Sequence, residues 1–253
     1  MTRALSTRTL TVPFIINHDF QRWKEETRVH AEIMDRLRRA AAAYDYPAVT
    51  YDFGQDCERR HRSMSSVEAE IRGALLSPNI DEVRNGLSNV LYWGFYRSPG
   101  RRAHYLRQFQ EEIKEHQLQA AGRLFHRLTG PGLRPIKDLG LPVFSQVSFL
   151  SKVRMFLDPT NYAVLDSKIA GVLTDPRIPL GLKVYPTAIP DTADNERAYA
   201  RWCRLCRLLA QSALPAPARA VDVERAIFHL AEHGKHDLCV ALLQAELTAS
   251  STL

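Results

Sequence analysis

The chain has 253 residues, 45% of them hydrophobic and 25% charged, which excludes a disordered polymer and suits one compact domain, or two closely packed halves, with a sizeable core. The formal net charge is +6, and 27 arginines stand against 7 lysines among the 34 basic residues; the planar guanidinium fork suits bidentate contact with phosphate, so this balance fits nucleic-acid binding as well as a plain arginine-rich bias. No apolar run approaches the roughly 18 residues of a membrane span, the start "MTRALSTRTL" lacks the apolar stretch of a secretion signal, and four unevenly spaced cysteines (Cys57, Cys203, Cys206, Cys239) point to a reducing cytoplasm.

In chain order, "TLTVPFI" reads as extended. From Asn17 to Tyr44 the composition is helix-forming, and Phe20, Trp23, Val29, Ile33 and Leu37 recur at helical spacings. "YPAVTYDFGQDCERRHRSMSS" reads as a connection. "SSVEAEIRGALL" predicts a helix with Ser66 as its N-cap and Glu68 and Glu70 in its first turn. A further helix is predicted over "NIDEVRNGLSNVLYWGF", with Val83, Leu87, Val90 and Leu91 on one face, before the turn at Pro99-Gly100. "AHYLRQFQEEIKEHQLQAAGRLFHRLTG" reads as one helix burying Leu106, Phe109, Ile113, Leu118, Leu124 and Phe125. Helices return at "VFSQVSFLSKVRMFL", "VLDSKIAGVL", "DTADNERAYARWCRLCRLLAQSA" and "VDVERAIFHLAEHG", while "LKVYPTAI" looks extended and "PAPARA" is a connector.

The run "DPTNYAVLDSKIAGVL" carries Asp166 in its middle, followed by Ser167 and Lys168. An ionised carboxylate in an apolar setting is costly unless it is paired or hydrogen-bonded. Asp166 therefore either caps the helix "SKIAGVL" or carries a charge with a task, and the two uses are compatible. Before it come, in order, the hairpin-like connection "KDLGLPVFSQ", the apolar helix "FLSKVRMFL", the turn "LDPTN" and an extended leader, Tyr162 to Leu165.

In that order, and in the words "GLPVFSQ" and "VLDSKI", the chain resembles the helix-hairpin-helix DNA glycosylase superfamily, with the spacing from "FLDP" to "VLD" similar to its 8-oxoguanine branch. The resemblance covers about Lys137 to Val172, with a weaker echo in "RAVDVERAIFHLAE". It implies an all-α or nearly all-α helix-hairpin-helix glycosylase-like bundle of roughly ten helices in two packed halves. A single domain over 1–253 would carry the hairpin and the aspartate segment at about 137–173. Asp166 would take the catalytic position, where a fixed carboxylate stabilises the oxocarbenium-like sugar or orients the attacking water. The chain as a whole also resembles a small bacterial group of such glycosylases, used against phages, that excise glucosylated hydroxymethylcytosine. Double-stranded DNA, in that case phage DNA with modified bases, is then the expected partner of a cytoplasmic monomer needing no cofactor.

Departures from the superfamily pattern matter. The lysine that some members use for strand cleavage falls at Val147 or Ser148, which form no Schiff base. Lys152 stands about one helical turn later and is the secondary candidate for that role. The resemblance thus favours a monofunctional enzyme leaving an abasic site. Gly140 is followed by Leu141-Pro142-Val143-Phe144-Ser145 in place of a glycine-valine-glycine turn, so no metal ion is expected there, and phosphate contacts would come from the backbone near Val143 to Gln146 and from Ser145. Lys168, Arg97, Arg101 and Arg102 are further DNA-binding candidates, and Trp93 and Tyr96 are candidates for the pocket of a flipped base, against the plainer reading of core aromatics and solvated arginines.

Two other features have plain readings. Cys203 and Cys206 suit core packing better than an iron–sulfur cluster, and His229 with His233 suits a helix surface better than zinc. The competing functions are a repair glycosylase for oxidised or alkylated bases, a non-catalytic Arg-rich DNA-binding module, and a helical adaptor for an acidic protein.

Overall fold

The computed structural model describes Arg28, residues 31–186 and residues 188–251. The expected strand "TLTVPFI" and the first part of the long N-terminal helix lie outside the described residues. Within them the chain is mostly helical with one small two-stranded sheet. Helix α1 runs through 31–42 and buries Met34, Leu37 and Ala40. No helix among the described residues is long and apolar enough to cross a membrane.

The segment read as a connection is a hairpin. Strands β1 (Val49–Asp52) and β2 (Cys57–Arg60) pair antiparallel, with Val49 opposite Arg60 and Asp52 opposite Cys57. Four-residue strands with an exposed "CERR" carry too little alternation to announce themselves. The hairpin is docked by Asn89, whose side chain accepts from Tyr51 N (2.6 Å) and donates to Tyr51 O (3.1 Å), pairing with the strand as a neighbouring strand would.

Helix α2 (Met64–Leu75) starts earlier than expected, because Ser63 rather than Ser66 is its N-cap and accepts from Ser66 N at 3.3 Å. Helix α3 (Ile80–Gly94) buries Val83, Leu87, Val90 and Leu91 as expected. The single helix expected next is two, α4 (Pro99–Glu112) and α5 (Glu115–Phe125), separated by extended backbone at Ile113 and Lys114. The break turns Ile113 into the core, and Gln117 closes the new N-terminus by accepting from Lys114 N at 2.9 Å.

After one turn of helix, α6 (Arg134–Lys137), the chain makes the hairpin at 138–146 and enters α7 (Val147–Leu157), most of whose residues are buried. The helix therefore starts four positions later than the expected Val143. α8 (Ser167–Leu173), α9 (Ala193–Ala213), α10 (Ala220–Glu232) and α11 (His236–Ser251) complete the fold. α9 and α10 match the predicted segments, and α11 follows where no element was named. "LKVYPTAI" holds only an isolated bridge between Tyr185 and Ala188. Helices α2 and α3 pack on α7, while α9 and α8 pack on α10.

Candidate active site

Asp166 is fixed by three elements. The buried leader Ala163–Val164–Leu165 is clamped from α7, where Ser151 Oγ accepts from Leu165 N at 3.0 Å, and from α9, where Trp202 Nε1 donates to Val164 O at 2.9 Å. The Asp166 carboxylate then caps α8, one oxygen accepting from Lys168 N (3.0 Å) and Ile169 N (3.1 Å). Capping leaves the second carboxylate oxygen free of those bonds and places the charge at the positive end of the helix. The capping function is thus present in full, and it orients the group instead of consuming it.

α10 brings the opposite wall. Its first turn is tied to the turn before the leader, with Ala220 N donating to Thr160 O (3.0 Å) and Val221 N to Pro159 O (3.2 Å). Glu224, one turn further along α10, lies near enough to Asp166 to feel its charge. Glu224 is only 5% exposed, and among the described residues no hydrogen bond or ion pair reaches its carboxyl. Burial, reinforced by the negative charge of Asp166, pushes its pKa up to about 8 against the counter-pull of Arg225 and Lys152.

Lys152, from α7, is also 5% exposed. Its ammonium donates to Ser148 Oγ (3.1 Å) and Ser148 O (3.3 Å) and stands 5.0 Å from the Phe149 ring centre. Desolvation lowers its pKa, with Asp166 and Glu224 opposing. Its stem also fills the space beside Gly94, where a Cβ would meet Phe149 at 2.7 Å and Lys152 Cδ at 3.1 Å, so only glycine lets α3 approach α7 this closely.

Aromatic rings complete the surroundings. Tyr44 and Tyr46, on the segment after α1, feel the charge of Asp166, and burial raises both their pKa values, that of Tyr46 to about 12. Phe228, one turn beyond Glu224 on α10, lies edge-on to both, with ring centres 6.3 and 6.2 Å away. Trp93 is 5% exposed and packs between Tyr46 and Phe156, so it stands behind the Tyr46 ring and not in front of it. Tyr44, Tyr46, Glu224 and Phe228 were missed by sequence reasoning. The available signal was the stripe Val221–Glu224–Phe228, an acid at helical spacing between apolar residues, the same anomaly that makes Asp166 conspicuous.

The hairpin presents a distinct surface. Gly140 and Val143 both have positive φ, +62° and +71°. For a β-branched residue that is a strained conformation. Phe144 anchors the turn in the core while Ser145 and Gln146 are exposed. Lys168 is exposed in the first turn of α8, directly after the Asp166 cap.

The arginines are partly engaged. Arg97 pairs with Glu232 and Asp45 and lies over Tyr46 at 4.9 Å. Arg101 lies 5.3 Å from the Phe95 ring centre, and Arg102 lies over Tyr92 (4.4 Å) and the half-buried Tyr96 (5.2 Å). Cys203 and Cys206 are buried free thiols whose pKa values burial pushes up. His229 and His233 stack at 4.2 Å, and no group of metal-ligating side chains occurs among the described residues.

No family model matches the chain, and neither a curated protein nor a solved structure matches it.

Proposed function

We propose that the chain is a monofunctional DNA glycosylase that flips a modified base out of double-stranded DNA and cleaves its N-glycosidic bond, leaving an abasic site. The observation that carries this reading is Asp166: a carboxylate that caps α8, on a leader held by α7 and α9, with the half-buried rings of Tyr44 and Tyr46 and the buried Glu224 near enough to feel its charge. As the bond breaks, positive charge builds on the deoxyribose, and a preorganised carboxylate stabilises it without reorganisation or directs water to the anomeric carbon. Backbone donors of the hairpin, Ser145, Gln146 and Lys168 would hold phosphates, as would Arg97, Arg101 and Arg102. The rings of Tyr44, Tyr46 and Phe228 suit stacking on an extruded base.

The proposed base is glucosylated hydroxymethylcytosine of phage DNA, which would make the protein a cytoplasmic defence enzyme acting as a monomer. The test is to incubate the protein with phage DNA carrying this base, with unmodified DNA and with oxidised or alkylated DNA, and to detect released bases by mass spectrometry and abasic sites by aldehyde labelling. Release from the glucosylated DNA alone, lost in Asp166→Asn, is the expected result. Release from damaged DNA instead would make it a repair enzyme, and DNA binding without release from any substrate would make it a binding module. Lys152 is held by Ser148 and desolvated, and borohydride is expected to trap no covalent complex with DNA; trapping abolished by Lys152→Ala would assign it a lyase role.

A further inference from the structure

Among the described residues the fold buries three cations, Lys152, Arg154 and Arg225, and it accommodates two of them. Arg225 meets Glu68 at 2.5 Å. Lys152 donates to Ser148, and burial favours the loss of its proton. Arg154 has neither outlet. A guanidinium keeps its proton in a protein, and among the described residues no carboxylate pairs with this one. Arg154 is 2% exposed; it donates to Gly130 O, its guanidinium carbon lies 3.9 Å from the Tyr162 ring centre, and its Nε is buried without a partner. Burying a charge with no counter-ion is strongly destabilising, and neither a carbonyl nor a ring supplies a full opposite charge.

Arg154 lines a cavity of about 550 Å³ where the C-terminal ends of α2, α5 and α7 meet. Two exposed donors share its wall, Arg72 and His126. Arg72 spends Nε on Leu157 O at 2.8 Å, and among the described residues no other hydrogen bond or ion pair engages its guanidinium or the His126 ring. The one carboxylate in the wall, Asp158, is occupied by Asn161, accepting from its N at 3.2 Å and its Nδ2 at 2.9 Å. Leu76 and Leu128, both half-buried, form an apolar side. Arg154 stands two positions from Lys152 on α7, roughly 200° around the helix, so the cavity lies on the opposite side of α7 from Lys152. Each arginine also answers a backbone carbonyl, but that role uses one N–H of the five on each guanidinium.

We propose that this cavity is a binding site for a phosphate monoester on a small molecule of nucleotide size. Arg154, Arg72 and His126 hold the phosphoryl group, and the remainder of the ligand lies against Leu76 and Leu128. Guanidinium forks match phosphate oxygens bidentately. A monoester carries a charge of about −1.5 to −2 near neutrality, which answers two guanidinium groups, whereas each phosphate of a DNA backbone carries a single charge. The volume lies within the roughly 300–1,000 Å³ scale of ligand pockets. The site does not depend on the glycosylase reading and would stand without it.

The experiment uses the full chain at neutral pH. Melting temperature and titration calorimetry are measured with inorganic phosphate, with a panel of nucleoside monophosphates and hexose phosphates, with the corresponding unphosphorylated nucleosides and sugars, and with a double-stranded DNA oligonucleotide. Sodium chloride at matched ionic strength is the control. Inorganic phosphate and at least one monoester are expected to raise the melting temperature in a concentration-dependent way, with the monoester the tighter ligand and its unphosphorylated form inert. Arg72→Ala and His126→Ala, both at exposed positions, should each weaken that binding about tenfold or more, and Arg154→Met should remove it. Should Arg154→Met fail to fold, the two exposed variants carry the test. No phosphate-dependent shift beyond the chloride control, or parental affinity retained in both Arg72→Ala and His126→Ala, overturns the proposal. DNA binding that Arg72→Ala weakens, without a response to any small phosphate, would assign these arginines to a DNA backbone and overturn it as well.

Discussion

Two buried charge clusters lie side by side in this molecule, and they are built on opposite principles. In one, Glu68 of α2 is 3% exposed and meets Arg219 and, at 2.5 Å, Arg225, while Asp222 takes up the remaining donors of Arg219 at 2.7 and 3.0 Å. In the other, Glu224 of α10 is buried with Asp166 and Lys152 near enough to act on it through their charges, while Lys152 spends its hydrogen bonds on Ser148. The first cluster joins α2 to α10 and answers each charge with an opposite one. In the first, burial is met by opposite charge; in the second, the charge that acts most strongly on the buried Glu224 is the like charge of Asp166.

The comparison can be broken by substitution. The largest expected effect is on chemistry: Asp166→Asn should lower base release by about 10²–10³-fold or more while DNA affinity is retained, read by single-turnover kinetics. An undiminished rate would remove the second cluster from the active site. Next, Glu68→Ala should destabilise the fold by about 3–5 kcal/mol, because it leaves the buried Arg225 with only Asp222, at 3.8 Å, to balance its charge. Urea denaturation measures this, and a loss under about 1 kcal/mol would mean the first cluster does not hold α10 to α2.

Glu224→Gln should act in the other direction, and in a pH-dependent way. The folded pKa of Glu224 is raised to about 8 from 4.5, so the folded protein retains a proton that the unfolded chain gives up. The parental stability conferred by that proton is complete below about pH 4.5 and is lost as pH rises through about 8. The glutamine variant has no such loss. Its melting temperature should match the parent in acid and exceed it increasingly toward alkaline pH, and a constant difference across that range would contradict the assignment of the buried proton to Glu224. The smallest effect concerns the hairpin: Val143→Gly removes a side chain from a position with φ of +71° and trades relief of strain against greater freedom of the unfolded chain. A net change within about 1 kcal/mol is expected, and a loss of several kcal/mol by denaturation would show that Val143 packs as a core residue.

Much of this was legible in the amino-acid order, for physical reasons that differ by element. Helices α3, α9 and α10 announce themselves because each carries an apolar stripe at helical period, and the buried positions of α3 follow from it. Asp166 stood out because a charge interrupts an apolar run. The sheet was not legible, since its docking depends on Asn89 reaching Tyr51 across 38 positions, a contact with no local signature. The division between α4 and α5 was hidden by two good helix-forming compositions meeting at Ile113, where burial of one side chain overrides propensity. Val90 to Tyr105 drew attention for its rings and arginines, yet several of these partner one another: Arg101 with Phe95, Arg102 with Tyr92 and Tyr96. Sequence shows that such groups are present and is silent on whether they are already spoken for. Tyr44 and Tyr46 were overlooked for the complementary reason, because they lie beyond a helix end and acquire a role only when α10 folds against them.

That last placement has a consequence for synthesis. The rings after α1 emerge early from the ribosome, the Asp166 cap later, and Glu224 and Phe228 only with α10. Translation proceeds at about 5–20 residues per second, so a nascent chain spends seconds with the Asp166 segment made and α10 still to come. The surroundings of Asp166 are complete only when α10 arrives, late in the making of each molecule.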